Sequence, residues 1–155
     1  MNFTGQTALV VGASRGFGRG VVESLLAKEM IVTAVARNRE DLEDLARKTS
    51  AKIIVADAAG EQAAERILSE TKPNLLVLSA GTSLDLRPLY EHTWETFSRP
   101  WEVDTKLTFL WVRAVCKRRP RACCCVRQWR STFRFPAQRW LRRSKEDERL
   151  YRGVR

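Results

Sequence analysis

The chain has 155 residues, enough to bury one hydrophobic core, so one domain is the expected count. A formal net charge of +10 suggests an anionic partner such as nucleic acid only if the charge is spread over the chain. Residues 1–116 carry 14 Lys and Arg against 15 Asp and Glu, whereas residues 117–155 carry 14 against 3, so the excess charge lies in a basic tail.

No stretch predicts a secretory signal or a membrane span, because no apolar run approaches about 18 residues. The cysteines are Cys116 and the consecutive Cys123, Cys124 and Cys125, a spacing that fits neither a zinc finger nor a secreted disulfide framework. His92 has no Cys or His partner at ligand spacing and is expected at the surface or at a helix start. We therefore expect a cytoplasmic protein with no metal site and no membrane partner.

Strand and helix patterns alternate along the first 80 residues. Apolar runs predict strands at Thr7–Val11, Ile31–Ala36, Lys52–Ala56 and Leu75–Leu78. Helical spacing predicts helices at Phe17–Met30, Arg39–Lys48 and Gly60–Glu70. This alternation is typical of an α/β fold with a doubly wound parallel sheet, here ending after about four strands. Trp94, Trp101 and Trp111 are expected to pack the helical segments against that sheet.

A glycine-rich turn joins the first predicted strand to the first predicted helix. Gly12, Gly16 and Gly18 make the spacing G-x-x-x-G-x-G. Glycines at such spacing permit a tight turn, close approach of the backbone to a pyrophosphate, and close packing of helix on strand. The helix amides and the positive end of the helix dipole would then face the anion. The alternative is a glycine-rich turn that binds nothing.

Four features, in order, resemble the cofactor-binding half of the short-chain dehydrogenase/reductase family, a Rossmann-fold group of nicotinamide-dependent oxidoreductases. They are the glycine loop, Asp57-Ala58 after the third strand, Ser79-Ala80-Gly81 after the fourth strand, and the helix Trp101–Val115. The resemblance implies an NAD(P)-binding Rossmann domain over residues 1–115, in which Asp57 hydrogen-bonds the adenine amine. The implied cofactor site consists of Gly12, Ser14, Arg15, Gly16, Phe17, Gly18, Arg37, Asp57, Ala58, Ala80 and Gly81.

The chain departs from the family pattern at three positions within this half. Val11 stands where the family has threonine. Ser79 replaces an asparagine, which is expected to weaken the support to the sheet. Asp104 replaces an asparagine that the family ties to its proton relay.

Charge at the end of the second strand indicates which nicotinamide cofactor is bound. An NAD-selecting loop carries an acidic residue there, which takes the ribose 2′-hydroxyl. This chain instead reads Ala36-Arg37-Asn38, and Arg15 in the glycine loop adds a second guanidinium. Two arginines suit the dianionic 2′-phosphate, so NADP is predicted over NAD. The alternative is that Arg37 is a solvated charge near a helix start.

The catalytic part of the family pattern is missing from the chain. The resemblance implies a serine after a fifth strand, a tyrosine about 13 residues later, and a lysine four residues beyond that lowers the tyrosine pKa. Residues 116–155 contain neither an apolar strand nor Tyr-x-x-x-Lys, since Tyr90 lies far upstream and Tyr151 is followed by no lysine. No catalytic residue is assigned, and we expect a truncated, inactive oxidoreductase with a disordered basic tail over residues 116–155.

A reading frame displaced by one nucleotide would explain the composition of the tail. A one-base forward shift over Cys123-Cys124-Cys125-Val126 gives only valine or alanine at three successive codons, which restores an apolar strand. The same shift allows only serine or asparagine at position 128, permits tyrosine at 141, and allows only lysine or arginine at 145. These positions reproduce the serine-to-tyrosine and tyrosine-to-lysine intervals of the family. The hypothesis places the shift between Val115 and Ala122.

Two functions remain open from the sequence. In the first, the intact relative transfers hydride between NADP and a small carbonyl or alcohol substrate, and forms the homo-oligomer that the family implies, although assembly of this chain is doubtful. In the second, the chain is a non-catalytic binding module whose tail, with Trp129 and Trp140 among arginines, contacts nucleic acid or an acidic partner. Specific nucleic-acid binding is not expected. Loss of a fifth strand would expose the edge of strand four and favour association.

Overall fold

The computed structural model describes residues 3–60, 62–83 and 85–118. Four parallel strands form one sheet in the order β3-β2-β1-β4, and they are β1 (Thr7–Val11), β2 (Ile31–Ala36), β3 (Lys52–Val55) and β4 (Leu75–Leu78). The helices are α1 (Gly16–Leu26), α2 (Arg39–Lys48), α3 (Ala63–Thr71) and α4 (Trp94–Arg118), with a short 3₁₀ helix at Leu89–Glu91. The predicted Rossmann-like α/β fold is confirmed.

The central strand of the sheet is β1, whose residues from Ala8 to Val11 are at most 2% exposed. Ala8 lies beside Val32 of β2 and beside Leu75 of β4. The chain adds β2 and β3 on one side of β1 and then crosses to the other side for β4. This reversal leaves a crevice beside the carboxyl end of β1, where open α/β sheets bind ligands. Among the described strands β4 lies at an edge, with half-buried side chains.

Two helical layers cover the opposite faces of the sheet. Alternate residues of β1 face opposite sides, as strand geometry requires. Ala8 and Val10 pack with Val22 of α1 and Leu42 and Leu45 of α2 in what we call the α1–α2 layer. The opposite cluster, which we call the α3–α4 layer, contains Leu9, Val11, Val35, Ala64, Ile67, Leu68, Leu107, Trp111 and Ala114.

The first helix ends at Leu26, earlier than the predicted end at Met30. Glu29 has a left-handed backbone with φ of 59°, which stops the helix. The amides of Glu29 and Met30 then donate to the carbonyls of Leu26 and Leu25 at 2.9 and 3.2 Å. A glutamate occupies the position that usually belongs to glycine, so the sequence carried no signal for this helix end.

The fourth helix begins at Trp94, well before the predicted start at Trp101. The predicted start left Pro100 outside the helix, whereas the structure places this proline, which has no amide hydrogen to donate, within α4. The start is stabilised by Thr93 and Thr96, whose amides each donate to the other's hydroxyl oxygen, at 3.0 and 3.4 Å. Trp94 and Trp101 are 72% and 68% exposed, so the prediction that they pack on the sheet is wrong.

The carboxyl end of α4 packs on α3 beyond the predicted domain boundary. Lys117 Nζ lies 2.7 Å from Glu65 Oε1, and Arg118 Nη2 donates to the Glu65 carbonyl oxygen at 2.9 Å. The first residues assigned to the basic tail therefore belong to a helix. The other predictions for the tail, including those on Cys123, Cys124, Cys125, Trp129 and Trp140, lie outside the described residues. No helix in the described part of the chain is long and apolar enough to cross a membrane.

Candidate functional site

A cleft of about 1010 Å³ lies at the carboxyl ends of the strands. The loops after all four strands and the first half of α4 form its wall. Eight of the eleven predicted cofactor residues line it: Gly12, Ser14, Arg15, Arg37, Asp57, Ala58, Ala80 and Gly81. The fold thus brings together residues that are dispersed over the sequence, at the crevice where the strand order reverses.

The loop after β1 lies directly against the loop after β4. Gly12 has φ of 87°, and a Cβ atom there would lie 2.6 Å from the carbonyl carbon of Ser79 and 2.5 Å from the Cα of Ala80. The amide of Gly12 also donates to the carbonyl oxygen of Val35 at 2.8 Å. Both the backbone conformation and the lack of space require glycine at this position.

The other three predicted cofactor residues form the first turn of α1. Gly16 has φ of 56°, and a Cβ atom there would meet nothing within 4 Å. Phe17 is 58% exposed and does not line the cleft. Gly18 is buried, and a Cβ atom there would collide with the Gly12 carbonyl oxygen and lie 2.5 Å from Ser79 Oγ, so this glycine lets α1 pack closely on the loops after β1 and β4.

The amino end of α1 is free to bind an anion. Arg15 occupies the N-cap position with no capping side-chain hydrogen bond, and the first turn holds no acidic residue. The first amides of a helix have no partner within the helix and carry the positive end of its dipole. The start of α2 differs, because Asn38 Oδ1 accepts from the amides of Glu40 and Asp41 at 2.9 and 3.3 Å.

Positive charge in the cleft comes from Arg15, Arg37 and Arg99. In residues 3–60, 62–83 and 85–118, no carboxylate forms an ion pair with any of these three guanidinium groups. The carboxylates in the wall are Asp41, Asp57 and Asp85, and a hydrogen bond from the Arg87 guanidinium, with Nη2 at 2.7 Å, lowers the pKa of Asp85. Unpaired arginines at a helix start favour an anionic ligand.

The turn after β3 is held by hydrogen bonds on several sides. Asp57 Oδ1 accepts from the Ala59 amide at 3.0 Å, and the Asp57 carbonyl oxygen accepts from the Gly60 amide at 3.2 Å. Because this turn uses Gly60, α3 begins at Ala63 rather than at the predicted Gly60. Trp111 of α4 donates its indole hydrogen to the Ala58 carbonyl oxygen at 2.9 Å. The sequence predicted packing for Trp111, which is confirmed, but gave no sign of this hydrogen bond.

The segment after β4 is attached to both β1 and α4. The Ser79 hydroxyl donates to the Val11 carbonyl oxygen at 2.9 Å, so this serine supports the end of the sheet. That its support is weaker than that of an asparagine stays a prediction. The carboxylate of Asp104, 6% exposed, accepts from the Thr82 amide at 3.0 Å. A Cβ atom on Gly81 would lie 3.2 Å from the same carboxylate oxygen. The buried carboxylate therefore fixes this segment along the cleft.

The sequence did not predict the part of the wall that comes from α4 and the segment before it. These residues are Thr82, Ser83, Asp85, Thr96, Arg99, Pro100, Val103 and Leu107. Positions 96, 100, 103 and 107 follow the three- and four-residue spacing of one helix face. The spacing was legible in the sequence, but the predicted helix began too late to reveal it.

Comparison with known proteins agrees with this architecture. The family profile described as short chain dehydrogenase matches residues 6–120. L-xylulose reductase of Homo sapiens is 38% identical over 104 residues, which cover 66% of this chain and 42% of that protein. Carbonyl reductase (NADPH) 2 of Sus scrofa is 35% identical over 111 residues, which cover 70% and 45%. The chain thus spans less than half the length of these curated relatives.

A solved structure has a similar fold. A metagenomic short-chain oxidoreductase in complex with NADP is similar with a TM-score of 0.63 and 26% sequence identity. The similarity covers 74% of this chain and 56% of that one.

Proposed function

The chain belongs to the short-chain dehydrogenase family, and on that premise we propose that its cleft binds NADP as the cofactor half of an oxidoreductase acting on small carbonyl compounds and alcohols. The observation that carries this proposal is the uncapped start of α1 beside the unpaired Arg15 and Arg37. Gly12 and Gly18 support it, because each brings backbone close to a neighbouring loop and leaves no room for a side chain. The residues present fit a dinucleotide.

The diphosphate, the 2′-phosphate, the adenine amine and a ribose of the dinucleotide each have matching groups in the chain. The amides that begin α1, from Gly16 to Gly18, and the Ser14 hydroxyl suit the diphosphate. Arg15 and Arg37 suit the 2′-phosphate, and the Asp57 carboxylate, next to Ala58, suits the adenine amine. Ala80 and Gly81 offer backbone without bulky side chains beside the ribose. When bound, NADP supplies or accepts the hydride of the reaction.

The preference for NADP over NAD rests on the charge at the end of β2. A carboxylate is missing there, and the Asn38 side-chain oxygen that could accept from a ribose hydroxyl already caps α2. Arg37 follows β2 directly and lines the cleft. Asp41 also lines the cleft and opposes an extra phosphate, so the preference depends on both arginines together.

We propose further that this chain binds cofactor without catalysing hydride transfer, because residues 116–155 lack the Tyr-x-x-x-Lys pattern. The displaced reading frame accounts for this loss, and the coding DNA tests it directly. We expect an open frame after Val115, one nucleotide out of phase, that encodes an apolar strand, a serine, and the tyrosine-lysine pair. If no single-base shift yields such a frame, the hypothesis is wrong.

Calorimetric titration of the full chain with NADPH and NADH tests the cofactor proposal. We expect NADPH to bind about tenfold more tightly, and Arg37→Ala to remove most of this preference, as for the loss of a charge-assisted hydrogen bond. Arg66→Ala is the matched control, since it removes an equal charge from an exposed site on α3 outside the cleft. Equal affinities for both nucleotides would contradict the NADP assignment. Undetectable binding of both would contradict the proposed function.

The charge of the tail supports a second candidate function, that of a binding module for nucleic acid or an acidic partner. Residues 117–155 carry 14 Lys and Arg against 3 Asp and Glu. Nonspecific binding to a polyanion weakens steeply with salt concentration. A nucleic acid that stays bound to the full chain at high salt and is selected by sequence would favour this candidate over the cofactor half.

A further inference from the structure

One buried hydrogen bond joins the middle of α4 to the turn after β3. Trp111 is fully buried, at 0% exposure, and its indole nitrogen donates to the Ala58 carbonyl oxygen at 2.9 Å. The two residues are 53 positions apart in the sequence. A buried indole N–H and a buried backbone carbonyl both need partners, and each satisfies the other here.

The same peptide group is held from its opposite side. The amide hydrogen of Ala59, in the peptide plane of the Ala58 carbonyl, donates to Asp57 Oδ1 at 3.0 Å. In a trans peptide the carbonyl and the amide hydrogen point in opposite directions. The Trp111 indole and the Asp57 carboxylate therefore fix the orientation of one peptide plane between them, and that plane in turn fixes the carboxylate.

This arrangement leaves one carboxylate oxygen of Asp57 for a ligand. The Asp57 side chain is exposed and lines the cleft. Within the described ranges of the chain, no donor bonds its second oxygen, Oδ2. Because Oδ1 is held by the Ala59 amide, Oδ2 is presented in a defined direction and can accept a hydrogen bond from an amine.

We propose that Trp111 is a positioning residue for adenine recognition: its indole N–H orients the 58–59 peptide, and this peptide aims Asp57 at the adenine amine. The inference rests on the proposed nucleotide binding and extends it to a residue that does not line the cleft. Trp111 also packs in the α3–α4 layer, but an apolar side chain of similar volume would serve that purpose. The indole N–H is the part that packing does not require.

The test compares NADP with its hypoxanthine analogue, in which a carbonyl oxygen replaces the adenine amine. We expect the wild-type chain to bind NADP about tenfold more tightly, since the analogue loses one hydrogen bond to the charged Asp57 carboxylate. Trp111→Phe removes the N–H and keeps an aromatic ring, and its preference should fall to about twofold or less. Ile67→Ala removes core volume from the same layer but keeps the indole, and it should retain the full preference.

The outcomes separate this inference from the proposed function. If the wild type binds neither dinucleotide, the proposed function fails and the inference falls with it. If the wild type prefers NADP and Trp111→Phe keeps that preference, only the inference is overturned. Should Trp111→Phe not fold, benzothienylalanine at position 111 replaces the N–H by sulfur at nearly constant shape. The same loss of preference is expected there, and its retention overturns the inference.

Discussion

The two helical layers cover the same sheet but are attached by different interactions. The α1–α2 layer carries an ion-pair cluster on its surface, in which Asp44 lies 3.0 Å from Arg19 of α1 and 3.0 Å from Lys48 of α2. The α3–α4 layer contains the buried hydrogen bond from Trp111 to Ala58. It also has Glu65 of α3, whose side chain and carbonyl both bond the carboxyl end of α4.

The difference lies in how far apart along the chain the partners are. Arg19 and Asp44 are 25 residues apart, and the other partners of Asp44 lie within the same helix. Trp111 and Ala58 are 53 residues apart, as are Arg118 and Glu65. The side-chain partners in the α1–α2 layer are therefore closer along the chain than those in the α3–α4 layer. We expect the first to bind the phosphates of the ligand and the second to position its adenine.

The largest expected effect on stability comes from substituting Gly12, where the loop after β1 contacts the loop after β4. Gly12 leads into α1, and its Cα faces the Ser79–Ala80 backbone that leads toward α4. In Gly12→Ala the new Cβ would collide with that backbone, and φ of 87° adds strain. We expect a loss of about 3 kcal/mol or more in the free energy of unfolding, measured by urea titration.

Gly20 provides the matched control for this substitution. It lies inside α1, where a Cβ atom would meet nothing within 4 Å. Gly20→Ala should therefore raise the free energy of unfolding by about 0.5–1 kcal/mol, as expected for alanine in a helix interior. Similar stabilities for Gly12→Ala and Gly20→Ala would show that the fold does not require close contact between the loops after β1 and β4.

What the sequence could predict depends mainly on how far apart along the chain the contacts lie. The bounds of β2, α2 and β4 were predicted correctly, since each depends on a local apolar run or a local cap such as Asn38. The start of α4 is an exception, since it was missed although its cap, formed by Thr93 and Thr96, is local.

The candidate site shows the same limit. Gly12 was predicted to line the site from glycine spacing, and Arg15 and Arg37 were predicted from charge. Asp57, Ala58, Ala80 and Gly81 were predicted from the resemblance to the family, which is also read along the chain. Arg99 and Val103 were missed, because their place in the wall depends on where α4 crosses the sheet. The hydrogen bond of Trp111 was missed for the same reason. Its acceptor is a backbone carbonyl, which every residue type carries, so the sequence does not mark it.

The smallest expected effect concerns the surface charges of the two layers. Hydrogen bonds from Lys48 and Arg19 lower the pKa of Asp44, and a hydrogen bond from Lys117 lowers the pKa of Glu65. A carboxyl group whose pKa is lower in the folded chain stabilises the fold above its ordinary pKa of 3.8 or 4.5. This stabilisation is lost as pH falls through the pKa of the folded state.

Asp44→Asn and Glu65→Gln should therefore lower stability at pH 7, and their difference from the wild type should shrink as pH falls below 3.8 for Asp44 and below 4.5 for Glu65. We expect the larger effect for Asp44, because its side chain is 32% exposed and has several cationic partners, whereas that of Glu65 is 55% exposed. Thermal unfolding between pH 3 and 7 measures both, and 1 M NaCl should reduce each effect by screening. If either substitution still lowers stability equally at high salt, that contact stabilises the layer by packing rather than by charge.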